Sequence, residues 1–176
     1  MKKFIMVLLI ISLFLITGYA QAEKVWVSPL TAIPVGPSGP ATNLLTVEPY
    51  SSPSTAIEIK STQVVSDGDL QWVILGLTTQ ANKVIKGIQI YYDVDMLDPN
   101  LPTFISQVRL TQMTTPDVAL VIHDDPTDLT STDPTSYVSL TGKPKPKVRG
   151  TITLELKVVL GSIGDSIRVG GISLIY

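Results

Sequence analysis

The sequence predicts an all-β protein: an antiparallel β-sandwich, jelly-roll-like in arrangement, with about nine strands behind an N-terminal signal peptide. Three observations carry that prediction. Ile152, Leu154, Leu156, Val158 and Leu160 alternate with Thr151, Thr153, Glu155, Lys157 and Val159, and Ile88, Ile90, Tyr92 and Val94 alternate with Gly87, Gln89, Tyr91 and Asp93. A period of two puts one set on a core face and the other on an open face. From Glu23 onward no segment sustains a three-to-four-residue apolar period between helix caps. Clusters of Pro, Gly, Asp and Ser punctuate the chain at the spacing of a sandwich or small barrel.

In chain order, residues 1–22 read as a secretory signal peptide. Lys2 and Lys3 give a positive start, residues 4–17 form an apolar run interrupted at Ser12, and Ala20-Gln21-Ala22 supplies a small-residue cleavage site. The run is shorter than the ~20 residues that span a bilayer, so no membrane span is expected after cleavage. The expected product is a mature chain from Glu23 to Tyr176, secreted or periplasmic, and the signal has a bacterial character. Removing two of the 13 basic side chains and none of the 15 acidic ones moves the formal net charge from −2 to −4. No basic stripe remains, so nucleic acid is not an expected partner.

The sequence contains no cysteine. Disulfides, thiolate metal sites, cysteine nucleophiles and a lipoprotein anchor are therefore excluded, and stability must come from a packed core.

A first strand is expected at residues 24–28. Residues 29–53 hold Pro29, Pro34, Pro37, Pro40, Pro49 and Pro53. Proline cannot donate to a sheet ladder, so residues 23–55 read as one strand plus a Pro-rich arm or loop, with at most an edge strand at 44–47. Such an arm either lies across the body or reaches a second copy, which makes an oligomer one expected outcome. Residues 56–176 read as the sandwich body, forming one domain with 23–55. Its strands are expected at 56–65, 70–77, 87–94, 104–112, 118–123, 136–140, 151–160 and 166–175. In 104–112, Phe104, Val108 and Leu110 share one parity, and Gln107, Arg109 and Thr111 the other. In the last strand Ile167 and Val169 share one parity while Ile172 and Leu174 share the other. A bulge at Gly170-Gly171 would bring both pairs to one face. The closing run from Asp165 to Tyr176 is similar to the last strand of carbohydrate-binding jelly rolls, a resemblance of alternation over some twelve residues.

Several groups could carry chemistry. Tyr91 lies on the polar parity with Gln89, and if that strand neighbours 104–112, Gln107 and Arg109 complete a shallow site where a sugar stacks on the tyrosine. Asp93, Asp95 and Asp98, and separately Asp124, Asp125 and Asp128, are spaced as calcium ligands can be; they are equally the residues that build turns, and that reading weighs more. His123 is the only histidine, so any histidine-based hydrolase must run through it. Trp26 and Trp72 read as core or edge-covering groups. Glu48, Glu58 and Glu155 could supply the carboxylate pair of a glycosidase only at a separation that the sequence does not set, which makes this a weak signal. Lys143, Lys145, Lys147 and Arg149 form the one basic cluster, interleaved with proline as in a solvated turn.

The resulting functional expectation is an exported, non-catalytic binding or surface-interaction domain, with a glycan or another surface protein as partner. No cofactor is required, calcium being the one candidate. The alternatives are a self-assembling structural protein that uses the arm, and a hydrolase centred on His123.

Overall fold

The computed structural model describes residues 22–36, 44–51 and 54–176. The signal peptide therefore lies outside the described residues up to position 21, as do residues 37–43 at the centre of the Pro-rich arm.

Among the described residues eleven strands form two antiparallel sheets. They are β1 (Lys24–Val27), β2 (Ile33–Val35), β3 (Leu45–Pro49), β4 (Ile57–Ser61), β5 (Trp72–Leu77), β6 (Gly87–Asp95), β7 (Phe104–Thr115), β8 (Val118–Asp125), β9 (Thr135–Leu140), β10 (Thr151–Val159) and β11 (Ser166–Ile175). The first sheet runs β3-β4-β11-β6-β9, with β1 paired to the far half of β11, and the second runs β2-β5-β10-β7-β8. Each sheet ends in open edges, so the architecture is a sandwich and not a closed barrel. Among the described residues no helix is long and apolar enough to cross a membrane.

The predicted alternation sets the core. Ile152, Leu154, Leu156 and Val158 from β10 face Ile88, Ile90, Tyr92 and Val94 from β6 across the interior, all buried. Close packing of two inner faces is what a cysteine-free domain of this size relies on. The bulge in β11 is present: its register to β6 shifts between Val169 and Ile172, and Ile167, Val169, Ile172 and Leu174 are all buried.

Three local expectations are corrected. First, the Pro-rich segment contributes a strand, β2, in which Pro34 lies opposite Val73 on the sheet edge, where a missing N–H costs no ladder bond. Second, a register shift at Lys157/Val158 leaves Ser106 without a partner and turns Ile105 into the core, while Phe104 is only half-buried. Third, β8 is an edge strand, and its Val118, Leu120 and Val121 stay exposed although the run is apolar. The basic segment is stitched to the body: the Ile85 amide donates to Pro146, the Val148 amide donates to Lys83, and Val148 is buried.

Candidate functional site

Strand β6 sits between β11 and β9, so its outward side chains, Gln89, Tyr91 and Asp93, occupy the middle of the six-stranded face. Register places Arg168 beside Asp93 and Ser136 beside Tyr91. Arg168 Nε lies 2.8 Å from Asp93 Oδ1. The same guanidinium donates to the Tyr50 hydroxyl at 2.9 Å and lies 5.0 Å from the centre of that ring. Tyr50 is held at the mouth of the β3–β4 turn by its amide, which donates to Ala56 at 3.0 Å. Between the two tyrosines opens a groove of about 390 Å³, lined by Tyr50, Ala56, Tyr91, Asp93, Ser136 and Arg168.

Beyond Tyr91 the face continues as an aromatic and polar rim. Trp26, on β1, has its ring centre 5.8 Å from that of Tyr91, the planes tilted by 33°. Gln89 donates to the Tyr91 hydroxyl at 3.3 Å and accepts from Lys24 at 2.8 Å. Since the Tyr91 oxygen accepts from Gln89, its own O–H is left to donate outward.

The four predicted contact residues are split. Gln89 and Tyr91 meet as expected, but Gln107 and Arg109 lie on β7, in the other sheet and on the opposite outer face. The chain changes sheets between β6 and β7, so these two strands are not neighbours. On that second face Arg109 stacks 4.7 Å above Trp72 and pairs with Asp124 at 3.3 Å and Glu155 at 3.8 Å. Gln107 donates to the same Asp124 carboxylate. That network satisfies itself. Neither tryptophan is core: Trp26 is 55% exposed, and Trp72 is half-buried under Arg109.

The aspartates are dispersed. Asp93 is taken by Arg168, and Asp98 accepts from the amide and side chain of Asn100 in a turn. Asp124 serves Arg109, Asp125 is tied into the cluster described next, and Asp95 and Asp128 are exposed. Among the described residues no three His, Asp or Glu side chains converge as ligands of a metal ion. The most constrained acid among the described residues is Asp165, which carries no motif in the sequence. It is fully buried and accepts from the Leu97 amide at 2.9 Å, the Ser162 amide at 3.0 Å and the Thr103 hydroxyl at 2.5 Å.

His123 meets a serine and a carboxylate, but not as a catalytic triad. Ser139, almost wholly buried on β9, donates its hydroxyl to Asp125, and the Tyr137 hydroxyl donates to the same oxygen at 2.8 Å. The His123 Nε2 contact to Ser139 Oγ, at 2.6 Å, is then a donation from the ring to the serine. In a nucleophilic triad the histidine accepts the serine proton and the carboxylate orients the histidine. Here the serine proton goes to the carboxylate and the oxygen is closed to solvent, so the cluster is a polar clamp between β8 and β9. Burial pushes the His123 imidazole below its ordinary range, outweighing the pull of Asp125 and Asp124. Burial also pushes Asp125 up, but hydrogen bonds from Ser139, Thr127 and Tyr137 together hold it at about 2.

No family model and no curated protein matches the chain. Among solved structures, similarity is found to the CBM22-1–GH10 modules of the Clostridium thermocellum endo-1,4-β-D-xylanase 10B complexed with xylohexaose. The TM-score there is 0.53 at 13% identity, over 89% of this chain and 29% of that one. A CBM4 structure gives 0.50 at 9% identity, over 85% and 89% of the two chains. The carbohydrate-binding module CBM36 in complex with calcium and xylotriose gives 0.46 at 12% identity, over 86% and 98%. With the first two of these structures the chain shares a β-sandwich fold.

Proposed function

We propose that this chain is an exported, non-catalytic glycan-binding domain whose binding surface is the groove between Tyr50 and Tyr91. One observation carries the reading: two exposed aromatic rings flank an open groove whose floor is an ion pair, Asp93 with Arg168. A pyranose ring has an apolar face that stacks on an aromatic side chain, and a rim of hydroxyls that needs donors and acceptors fixed in advance. The groove offers both, with Tyr91, Asp93 and Arg168 on strands and Tyr50 just beyond the end of β3. Its openness suits a chain segment better than a small molecule enclosed on all sides.

The fold shared with carbohydrate-binding modules is consistent with this reading, although fold alone does not assign function. Calcium has no part in it, because Asp93 and Asp98 already have partners within the protein. Catalysis is set aside because Ser139 is buried and donates its proton to Asp125. Export rests on the signal sequence. A glycan array probed with the mature chain tests the proposal: signal on neutral polysaccharide spots, lost in Tyr91→Ala, supports it, and an array without signal refutes it.

A further inference from the structure

We infer that Trp26 is a second sugar-stacking subsite beyond the end of the groove, and that Gly171 is the residue that positions it. The inference rests on the glycan reading above and adds to it a specific contact and a dependence on ligand length.

The bulge in β11 is where this is visible. Bulges commonly use glycine to reach a left-handed backbone angle. Gly170 and Gly171 do not: among the described glycines only Gly164 has a positive φ, at 98°. The backbone at Gly171 would thus accept an L-residue, and the reason for glycine lies in its surroundings. A Cβ placed there would come within 3.2 Å of Trp26 Cζ3 and 3.4 Å of Cε3, with Tyr91 Cδ2 at 3.8 Å. The benzo edge of the indole rests on the Gly171 main chain, in space that any side chain would fill.

Trp26 is brought there by β1. Val25 and Val27 turn inward and pack against the core, so the intervening residue must face out, opposite Ser173. One edge of the ring is seated on Gly171 and one side leans toward Tyr91, yet the residue remains 55% exposed. Exposure of a single apolar group is ordinary and proves nothing. What distinguishes Trp26 is a cut-out seat the backbone does not require, beside a second exposed ring and a line of polar groups from Lys24 through Gln89 to the Tyr91 hydroxyl. A ring stacked on Trp26 would direct its hydroxyls toward that line. Because Tyr91 belongs to both the groove and this platform, a chain long enough to fill the groove would continue onto Trp26.

The test is isothermal titration of the mature protein with xylo- and cello-oligosaccharides, comparing trisaccharide with hexasaccharide. The parent should bind the hexasaccharide more tightly. Trp26→Ala should weaken hexasaccharide binding about tenfold, the scale of one aromatic contact, and leave the trisaccharide unaffected. Trp26→Phe should retain most of the affinity. Gly171→Ala should reproduce the loss with an unchanged melting temperature, whereas Gly76→Ala, where an added Cβ meets nothing within 4 Å, should bind as the parent does. Parent-like hexasaccharide affinity in Trp26→Ala overturns the subsite while leaving the groove standing. Absence of any oligosaccharide binding by the parent overturns the glycan reading and this inference together.

Discussion

Arg168 on β11 and Asp93 on β6 are register partners that close on one another at 2.8 Å, so the floor of the groove is a matched ion pair. Asp93 is only 8% exposed, and Arg168 also donates to Tyr50. The pair therefore fixes one wall of the groove as well as its polarity.

Arg168→Met should leave a nearly buried carboxylate without its cation and cost about 2–4 kcal/mol, a little under the ~3–5 kcal/mol for breaking a fully buried pair because the Arg168 side chain is 25% exposed. Urea denaturation measures this. Asp93→Asn combined with Arg168→Met should recover most of that stability, since neither partner is then left charged and alone. Binding should stay lost in the double variant, because Tyr50 has lost its donor. A double variant no more stable than Arg168→Met would show that the ion pair does not hold this face.

The clamp between β8 and β9 predicts how stability depends on pH. The folded pKa of His123 lies below its unfolded value, so the unfolded chain takes up the proton more readily, and stability falls as pH drops below about 6.5. Asp125 has a folded pKa of about 2 against an ordinary 3.8, so its contribution is present above 3.8 and lost between 3.8 and 2. Melting temperatures from pH 8 to 2.5 should decline in two steps. His123→Gln should remove the upper step and keep the lower one; an unchanged profile would contradict the clamp.

Asp165 holds the segment after β6 and the β10–β11 turn together through its three accepted hydrogen bonds. Asp165→Ala should strand those donors and cost about 3 kcal/mol or more by chemical denaturation, with Asp165→Asn recovering part of it. A loss under about 0.5 kcal/mol, typical of a surface change, would refute the assignment.

Calcium should leave the melting temperature where EDTA leaves it, because Asp93, Asp98, Asp124 and Asp125 already have protein partners. A rise with calcium that chelator reverses would contradict this.

What could be read from the chain alone divides along a physical line. The core faces of β6 and β10 follow from a period of two, and the β11 bulge follows from a parity change at Gly170-Gly171; both signals are local. Which sheet a strand joins is not local, and so the sequence alone allows Gln107 and Arg109 to join Tyr91 although β6 and β7 lie in different sheets. Arg168 gave no sign beyond its polar parity, because its partners Tyr50 and Asp93 are distant in sequence. Trp26 reads as a core or edge-covering group by composition, whereas the inward turn of Val25 and Val27 on β1 leaves it facing out. For Asp165 no pattern existed to find: Leu97 and Thr103 are more than sixty residues away.

The proposed function places a neutral glycan chain on the outer face of the six-stranded sheet. Affinity electrophoresis through gels containing soluble xylan or mixed-linkage β-glucan tests it most directly. The parent chain and Arg109→Ala, altered on the opposite face, should be retarded in at least one gel, and Tyr91→Ala should run as in a gel without polysaccharide. Unretarded migration of the parent in both, or equal retardation of parent and Tyr91→Ala, would contradict the claim.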